Sequence, residues 1–389
     1  MDKDSSALGA GWGKFLSQPY LQAILETLTN QQRLERRLTF LARTPITPVN
    51  NDRELIGDFI GEILAADLIT DDQEAIVNDV GKFESYQNNI TNIKHGLLFG
   101  QKQLNQLNEY KSQGGEGARF AAQWLTRRQG DLLLGIRSRL EALIVSAYLD
   151  NTIYDRYGVL ISGTWGTPSD LKYVPPAPWN EKADATPIAD LQFMINEVGE
   201  DLGALYVDDT VVTMSRKAFG HMVNSDEFQK RAKITPSSDF VFNFNVDGAL
   251  PNPNDRRIQG LAEAICQCKF EFYETKITEK RDDGSIGKKR NLPHNNIILS
   301  GPSVWNNRQV LDLGSGILTE SLVNELVGSN VVGGLPNNAR GPLTWAAPTT
   351  ANLNPPGITM WGAMRAFPRK FDKNATGMLD IGINPETGA

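Results

Sequence analysis

The residues whose types and spacing could do chemistry are few. Val310-Leu-Asp-Leu-Gly-Ser-Gly316 reads as a strand entering a glycine-rich turn, which would offer backbone amides and a helix N-terminus to a nucleotide-like cofactor. Cys266 and Cys268 are the only cysteines; the run from Ala264 to Tyr273 reads as a strand, which would put both on one sheet face. Cysteines so close rarely pair with each other, and a zinc site needs about four ligands. His95, His221 and His294 are scattered, with no serine or cysteine nucleophile motif beside His221 or His294, so the expectation is structural histidines. Asp71-Asp72, Asp208-Asp209 and Asp282-Asp283 lack the spacing of a calcium loop and read as solvated turns.

The Val310–Gly316 run resembles the first motif of S-adenosylmethionine-dependent methyltransferases, and such an enzyme is one alternative for this chain. Its context argues the other way. The motif opens a fold that needs several further strand–helix repeats, whereas Gly316 is followed by a loop rich in glycine and proline (Gly333 to Pro356) and by closing strands. No acidic residue follows the next candidate strand, Asn330-Val-Val-Gly333, where a ribose-binding carboxylate would stand. The plainer reading is a strand end, a turn and a helix from Ile317 to Val327. No catalytic, cofactor-binding or metal-binding residue is therefore expected.

The elements around these residues suggest a larger structural design. A chain of 389 residues with 40% hydrophobic content can bury a substantial core, as two lobes or as one lobe with long extensions. A net charge of −7 argues against a broad phosphate-neutralising surface. The opening Met-Asp-Lys-Asp-Ser-Ser is not a secretory leader and no apolar run reaches about 18 residues, so the reading is an aqueous, reducing, non-secretory setting.

Residues 1–50 carry a helical pattern (Tyr20, Ile24, Leu25, Leu28), a basic stretch and the extended Thr44-Pro-Ile-Thr-Pro48, and read as an arm. Two extended stretches follow, Leu55 to Ile69 and Ala75 to Phe83, around Thr70-Asp-Asp-Gln-Glu74. Lys82, Glu84 and Tyr86 alternate with Gly81, Phe83 and Ser85, as in a hairpin with little core of its own. Ile93 to Tyr110 has helical spacing. From about Gly117 to Tyr154, apolar residues at Leu125, Leu132, Ile136, Leu140, Leu143 and Ala147 predict one helix about 50 Å long, with Arg119, Arg127, Arg128, Arg137 and Arg139 elsewhere on it. Those arginines suit acids on a neighbouring subunit better than DNA.

Tyr157 to Ile161 reads as a strand, and Pro168 to Pro187 as a connector between domains. A helix (Ile188 to Leu202), a buried strand (Thr210 to Met214), a helix (Arg216 to Val223) and a long hairpin turning at Asp282-Asp-Gly284 then predict an α/β lobe. Ile358 to Phe367 and Gly377 to Ile383 close the chain as strands.

This order of arm, excursion, long helix, α/β lobe and returning strands resembles the Hong Kong 97-like fold of tailed-phage capsids, and within it the lambda-like major capsid proteins, the phage capsid protein E family. The matching segments are Gln123-Trp-Leu-Thr-Arg-Arg128; Ala185-Thr-Pro-Ile-Ala-Asp190 leading to Thr210-Val-Val-Thr-Met-Ser-Arg-Lys-Ala-Phe219; Asn291-Leu-Pro-His-Asn-Asn-Ile-Ile-Leu-Ser-Gly301; and Ile358-Thr-Met-Trp through Phe367-Pro368.

The resemblance implies an α+β fold with an N-terminal arm (1–50), an E-loop (51–92), a P domain (93–187 and 346–389) built on a spine helix at about 117–154, and an A domain (188–345). It implies a structural protein without cofactors that assembles with itself into hexamers and pentamers of an icosahedral head shell. Scaffolding and portal proteins are implied partners, with a cement protein as a further one, double-stranded DNA on the inner face read without sequence specificity, no membrane, and assembly in the host cytoplasm. Candidate inter-subunit residues are Lys82, Glu84, Tyr86, Arg127, Arg128, Arg137 and Arg139. An encapsulin-like cage or another phage structural subunit is a further alternative.

Overall fold

The computed structural model describes residues 38–50, 53–60, 82–89, 92–112, 114–149, 152–154, 160–163, 167, 169–199, 210–234, 254–280, 285–301, 304–305, 308–318, 339–348, 358–371 and 376–388. Within these the chain is a mixed α+β structure with two five-stranded sheets.

The first sheet is organised by one strand, Ile358–Lys370, of 13 residues. Its first half pairs antiparallel with Leu343–Pro348, from Leu343 opposite Ala363 to Pro348 opposite Ile358. It also pairs antiparallel with Asn92–Phe99, from Asn92 opposite Arg365 to Phe99 opposite Ile358. Its second half pairs with Leu311–Ser315, which in turn runs parallel to Ile46–Pro48. Nearly every position from Ile358 to Lys370 is buried, including Arg365, Arg369 and Lys370, so the strand shows no period-two alternation of buried and exposed residues.

Against this sheet lies the helix Gly115–Leu149, 35 residues and about 50 Å long at 1.5 Å per residue. All six apolar positions that predicted it (Leu125, Leu132, Ile136, Leu140, Leu143 and Ala147) are buried. The helix stops at Leu149 rather than at Tyr154, because Thr152–Tyr154 forms a strand paired with Leu160–Gly163. Thr152 and Ile153 are β-branched and favour that change. Gly135 marks where the helix passes the sheet most closely, since a Cβ there would overlap the His95 ring.

The second sheet runs in the order Lys172–Tyr173, Thr376–Asp380, Asn296–Ser300, Val211–Met214, Lys269–Phe272. Helices Pro187–Gln192, Arg216–Asn224, Asp226–Ile234 and Arg256–Cys266 cover it, and their apolar faces form a core around Ile188, Met214, Phe219, Phe228, Leu261 and Leu299. Helix Arg216–Asn224 begins on Ser215, whose hydroxyl accepts from the Ala218 amide, and helix Arg256–Cys266 begins on Asp255, whose carboxylate accepts from the Arg257 amide.

Several expectations are corrected. Ile93 to Tyr110 is not one helix: Asn92–Phe99 is a strand and Gln101–Ser112 a helix. Only Ile93 and Phe99 of that strand are buried, too few to reveal its period, and pairing with Ile358–Lys370 overrides the local pattern. Cys266 and Cys268 do not lie in a strand. Cys266 ends helix Arg256–Cys266, Gln267 takes the left-handed conformation (φ 56°), and the strand starts at Lys269. The helix expected from Ile188 to Leu202 starts at Pro187 and continues from Phe193 to Gly199 as a π-helix. The hairpin is shorter than expected, Lys276–Lys280 with Ile286–Arg290. The Pro- and Trp-bearing connector packs into the second core, where Leu171 and Trp179 are buried beside Ile188. The Tyr20 to Leu28 pattern, the acidic pairs at 71–72, 208–209 and 282–283, and residues 319–338 lie outside the described residues.

Candidate assembly interface

The glycine-rich run forms no cofactor turn. Leu311–Ser315 is a fully buried strand, with Gly314 opposite Thr47 on one side and Phe367 on the other. The Leu313 amide donates to Pro45 O at 2.9 Å and the Gly316 amide to Arg365 O at 3.0 Å, so sheet partners occupy the amides that a cofactor would need. A Cβ on Gly314 would stand 3.0 Å from the Arg369 side chain and 3.1 Å from Val49; the glycine is there for close strand packing. Asp312 is bound by Arg369, Nε to Oδ1 at 2.7 Å, in a pair that is 2% and 6% exposed. The strand-into-turn reading fails because both partner strands are distant in sequence.

The histidines are positioned for structure. His294 Nδ1 lies 2.8 Å from Ser215 Oγ, a serine–histidine contact that the sequence did not reveal. Ser215 is fully buried and its oxygen is engaged in capping a helix, which leaves no approach for a substrate. Burial and the nearby Arg290 and Lys217 hold the His294 ring below its ordinary pKa. His221 Nε2 contacts Gly388 O at 2.8 Å. The hydrogen bond that the Cys268 thiol donates to Cys266, together with burial, pushes that thiol far up. Among the described residues no group of three or more His, Cys, Asp or Glu side chains is placed to hold a metal ion.

The arginines of the long helix divide by environment. Arg139 reaches the Lys276–Lys280 hairpin strand and pairs with Glu279 at 2.7 Å. Arg128 pairs with Asp131 one turn on, at 3.1 Å, and lies over the Trp124 ring. Both pairs are about half exposed, so each contributes less than about 1 kcal/mol. Arg127 is exposed and Arg137 half-buried. Arg128 and Arg139 thus have partners inside their own subunit.

The excursion is a two-stranded antiparallel sheet, Arg53–Ile60 with Lys82–Asn89, separate from both five-stranded sheets. Its strands begin before Leu55 and extend beyond Phe83, outside the expected limits. The register sets Lys82 opposite Ile60, Glu84 opposite Asp58 and Tyr86 opposite Ile56. The ladder therefore places the three candidates on alternate positions of one strand. Two strands alone are marginal in water, and within the subunit Lys82–Asn89 also runs near Leu160–Gly163.

Where the first 50 residues join the body, the sequence missed a clamp. Glu141 of the long helix is fully buried and its carboxylate accepts from the Phe40 amide at 3.2 Å and the Leu41 amide at 2.6 Å, at the start of helix Thr39–Arg43. Arg43 stacks over Phe40 and pairs with Glu271 at 2.7 Å. The one signal in the sequence was a lone carboxylate inside the apolar run Leu140 to Val145.

Burial pushes the Glu141 carboxyl above the usual carboxylate range, opposed by the two amides, Tyr273 and Arg43. A group whose pKa is raised on folding holds its proton more tightly in the native state. Its stabilising share is complete below the ordinary carboxylate value and is lost as pH rises through the raised one. Urea unfolding from mildly acid to neutral pH should show this decline, and Glu141→Gln should flatten it while speeding hydrogen exchange at Phe40 and Leu41. An unchanged slope in the variant would remove Glu141 from the clamp.

Residues 21–300 match the family model described as phage major capsid protein E. The chain belongs to this family. The phage major capsid protein E assignment makes it a structural major capsid protein. A search of curated proteins returns no match. The structure is similar to that of a prophage protein of Escherichia coli CFT073 described as a capsid protein, at 14% identity and TM-score 0.51, covering 94% of this chain and 99% of that one. At that identity the likeness speaks to the fold, which is that of phage capsid proteins. Two looser similarities are to a phage-related protein of Bordetella bronchiseptica RB50 (12% identity, 94% and 97% covered, TM-score 0.47) and to the mature capsid of bacteriophage PhiM1 (11%, 88% and 86%, TM-score 0.43).

Proposed function

We propose that this capsid protein assembles with itself into hexamers and pentamers that close into the icosahedral head shell of a tailed double-stranded DNA phage. The observation that carries the reading is the Arg53–Ile60/Lys82–Asn89 ladder, a ribbon that belongs to neither core sheet of a chain in the major capsid family. Such a ribbon gains stability by lying on another copy, and rings of identical subunits need complementary patches on different faces.

In this reading residues 1–50 are an arm along adjacent subunits, 51–92 the E-loop over a neighbour, 93–187 with 346–389 the P domain, and 188–345 the A domain at the ring centres. Each core draws on both sides of these boundaries: Leu379 and Ile381 belong to the core of Ile188, and Leu311 and Leu313 to that of the long helix. Lys82, Glu84 and Tyr86 on the ladder and Arg127, Arg128, Arg137 and Arg139 on the helix are the contact residues, with no catalytic role. Assembly in the host cytoplasm around a scaffold and a portal, packaged DNA on the inner face, and a cement protein outside complete the reading.

Deleting residues 55–85 tests it, since Glu54 pairs with Asn88 and the ends stand close enough to rejoin. The deletion should leave a folded, soluble protein with the circular-dichroism spectrum of the two cores and abolish shells in electron micrographs. Normal shells from this variant would overturn the E-loop assignment.

A further inference from the structure

The hairpin Lys276–Lys280/Ile286–Arg290 has two unlike faces. Ile277 is buried, and Glu279 pairs with Arg139 of the long helix, so that face lies against its own subunit. Alternation turns Lys276, Thr278, Ile286, Lys288 and Arg290 the other way. There the register sets Lys276 directly opposite Arg290, and Thr278 opposite Lys288. Lys276 and Lys288 are exposed, and Ile286 at the turn end is 77% exposed. Lys276 and Arg290 also line a cleft that Arg216 and Lys217 complete from the neighbouring helix. Glu274 sits among them, 2.6 Å from Arg290 and 2.7 Å from the Arg216 amide, and Glu386 lies at the edge.

Arg290 is tied to Glu274 and its side chain is 11% exposed, so the exposed charge of this face is carried by Lys276 and Lys288. Five cations against two carboxylates give this face a positive balance in a chain whose net charge is −7, so the rest of the chain is net negative. We infer that the face is an inter-subunit docking surface that takes a carboxylate-bearing segment of a second copy, with Ile286 as its apolar anchor. This rests on the shell reading, in which each subunit presents its acidic surface to identical neighbours. Charge complementarity between copies commits the face to a second copy. An exposed isoleucine beside the cations, and carboxylates among them, suit a mixed protein surface better than a phosphate backbone, which is contacted by cations and hydrogen-bond donors.

The test mixes isotopically light and heavy copies of the full chain, assembles them, and joins lysines to touching carboxylates with a zero-length carbodiimide before mass spectrometry. Peptides linking Lys276 or Lys288 to an Asp or Glu of the other isotope are expected, with their yield falling as salt is raised. Shells without mixed-isotope links at these lysines would overturn the inference. So would links only to Glu274 or Glu386 of the same copy, or lysines protected from acetylation only when DNA is present. Failure of the chain to form any particle would instead remove the shell reading, and this inference with it.

Discussion

Arg369→Met is expected to destabilise the protein by about 3–5 kcal/mol, because it strands Asp312 as a buried charge without its partner. The two residues face each other across strands Leu311–Ser315 and Ile358–Lys370, with the guanidinium bonded to both carboxylate oxygens. Desolvating two charges is costly, and the pair stays stable only because each satisfies the other. Replacing both, as Asp312→Leu with Arg369→Met, should therefore recover most of the loss, and the double variant should unfold at nearly the wild-type denaturant concentration. Urea unfolding of the two single variants and the double variant measures this directly. A single Arg369 variant as stable as wild type would show that the pair does not hold the two strands. The consequence extends to the strand Ile46–Pro48, which is hydrogen-bonded to Leu311–Ser315. Loosening that strand should release Ile46–Pro48 before it unfolds either core.

The second large effect is expected at Trp179. Its ring is buried in the second core and its indole nitrogen donates to Asp190 Oδ2 at 2.9 Å. Asp190 is itself buried and held above the ordinary carboxylate value by desolvation, with Glu227 adding to the shift while the hydrogen bonds from Trp179 and Tyr173 oppose it. Trp179→Ala opens a large cavity and removes the donor, at a cost of about 3–5 kcal/mol. Trp179→Phe keeps most of the volume and loses only the hydrogen bond, at about 1–3 kcal/mol. Thermal unfolding of both variants separates packing from hydrogen bonding, and a Trp179→Phe variant as stable as wild type would mean that the bond to Asp190 contributes nothing.

Periodicity made the long helix legible, because one face of 35 residues meets a sheet and the six positions that predicted it are all buried. The strand Val211–Met214 and the helix Arg216–Asn224 were legible for similar reasons: a short β-branched run, then a serine cap and an amphipathic turn. What local pattern could not show was pairing at long range. Asn92–Phe99 has helical spacing and becomes a strand because Ile358–Lys370 pairs with it. Val310 to Gly316 has the outline of a cofactor turn and becomes sheet interior because strands far away in sequence flank it. The candidate assembly residues were named from the sequence only as a proposal. The excursion was placed by its polar alternation, while Glu141 and the Asp312–Arg369 pair, charged residues inside apolar runs, were missed because their partners come from other elements.

The central claim is that this chain builds a closed shell from copies of itself. Negative-stain electron microscopy of the purified full chain tests it most directly. Closed particles of uniform diameter, with ring-shaped capsomers on their surface, are the predicted result; a preparation that stays monomeric at every concentration would contradict it.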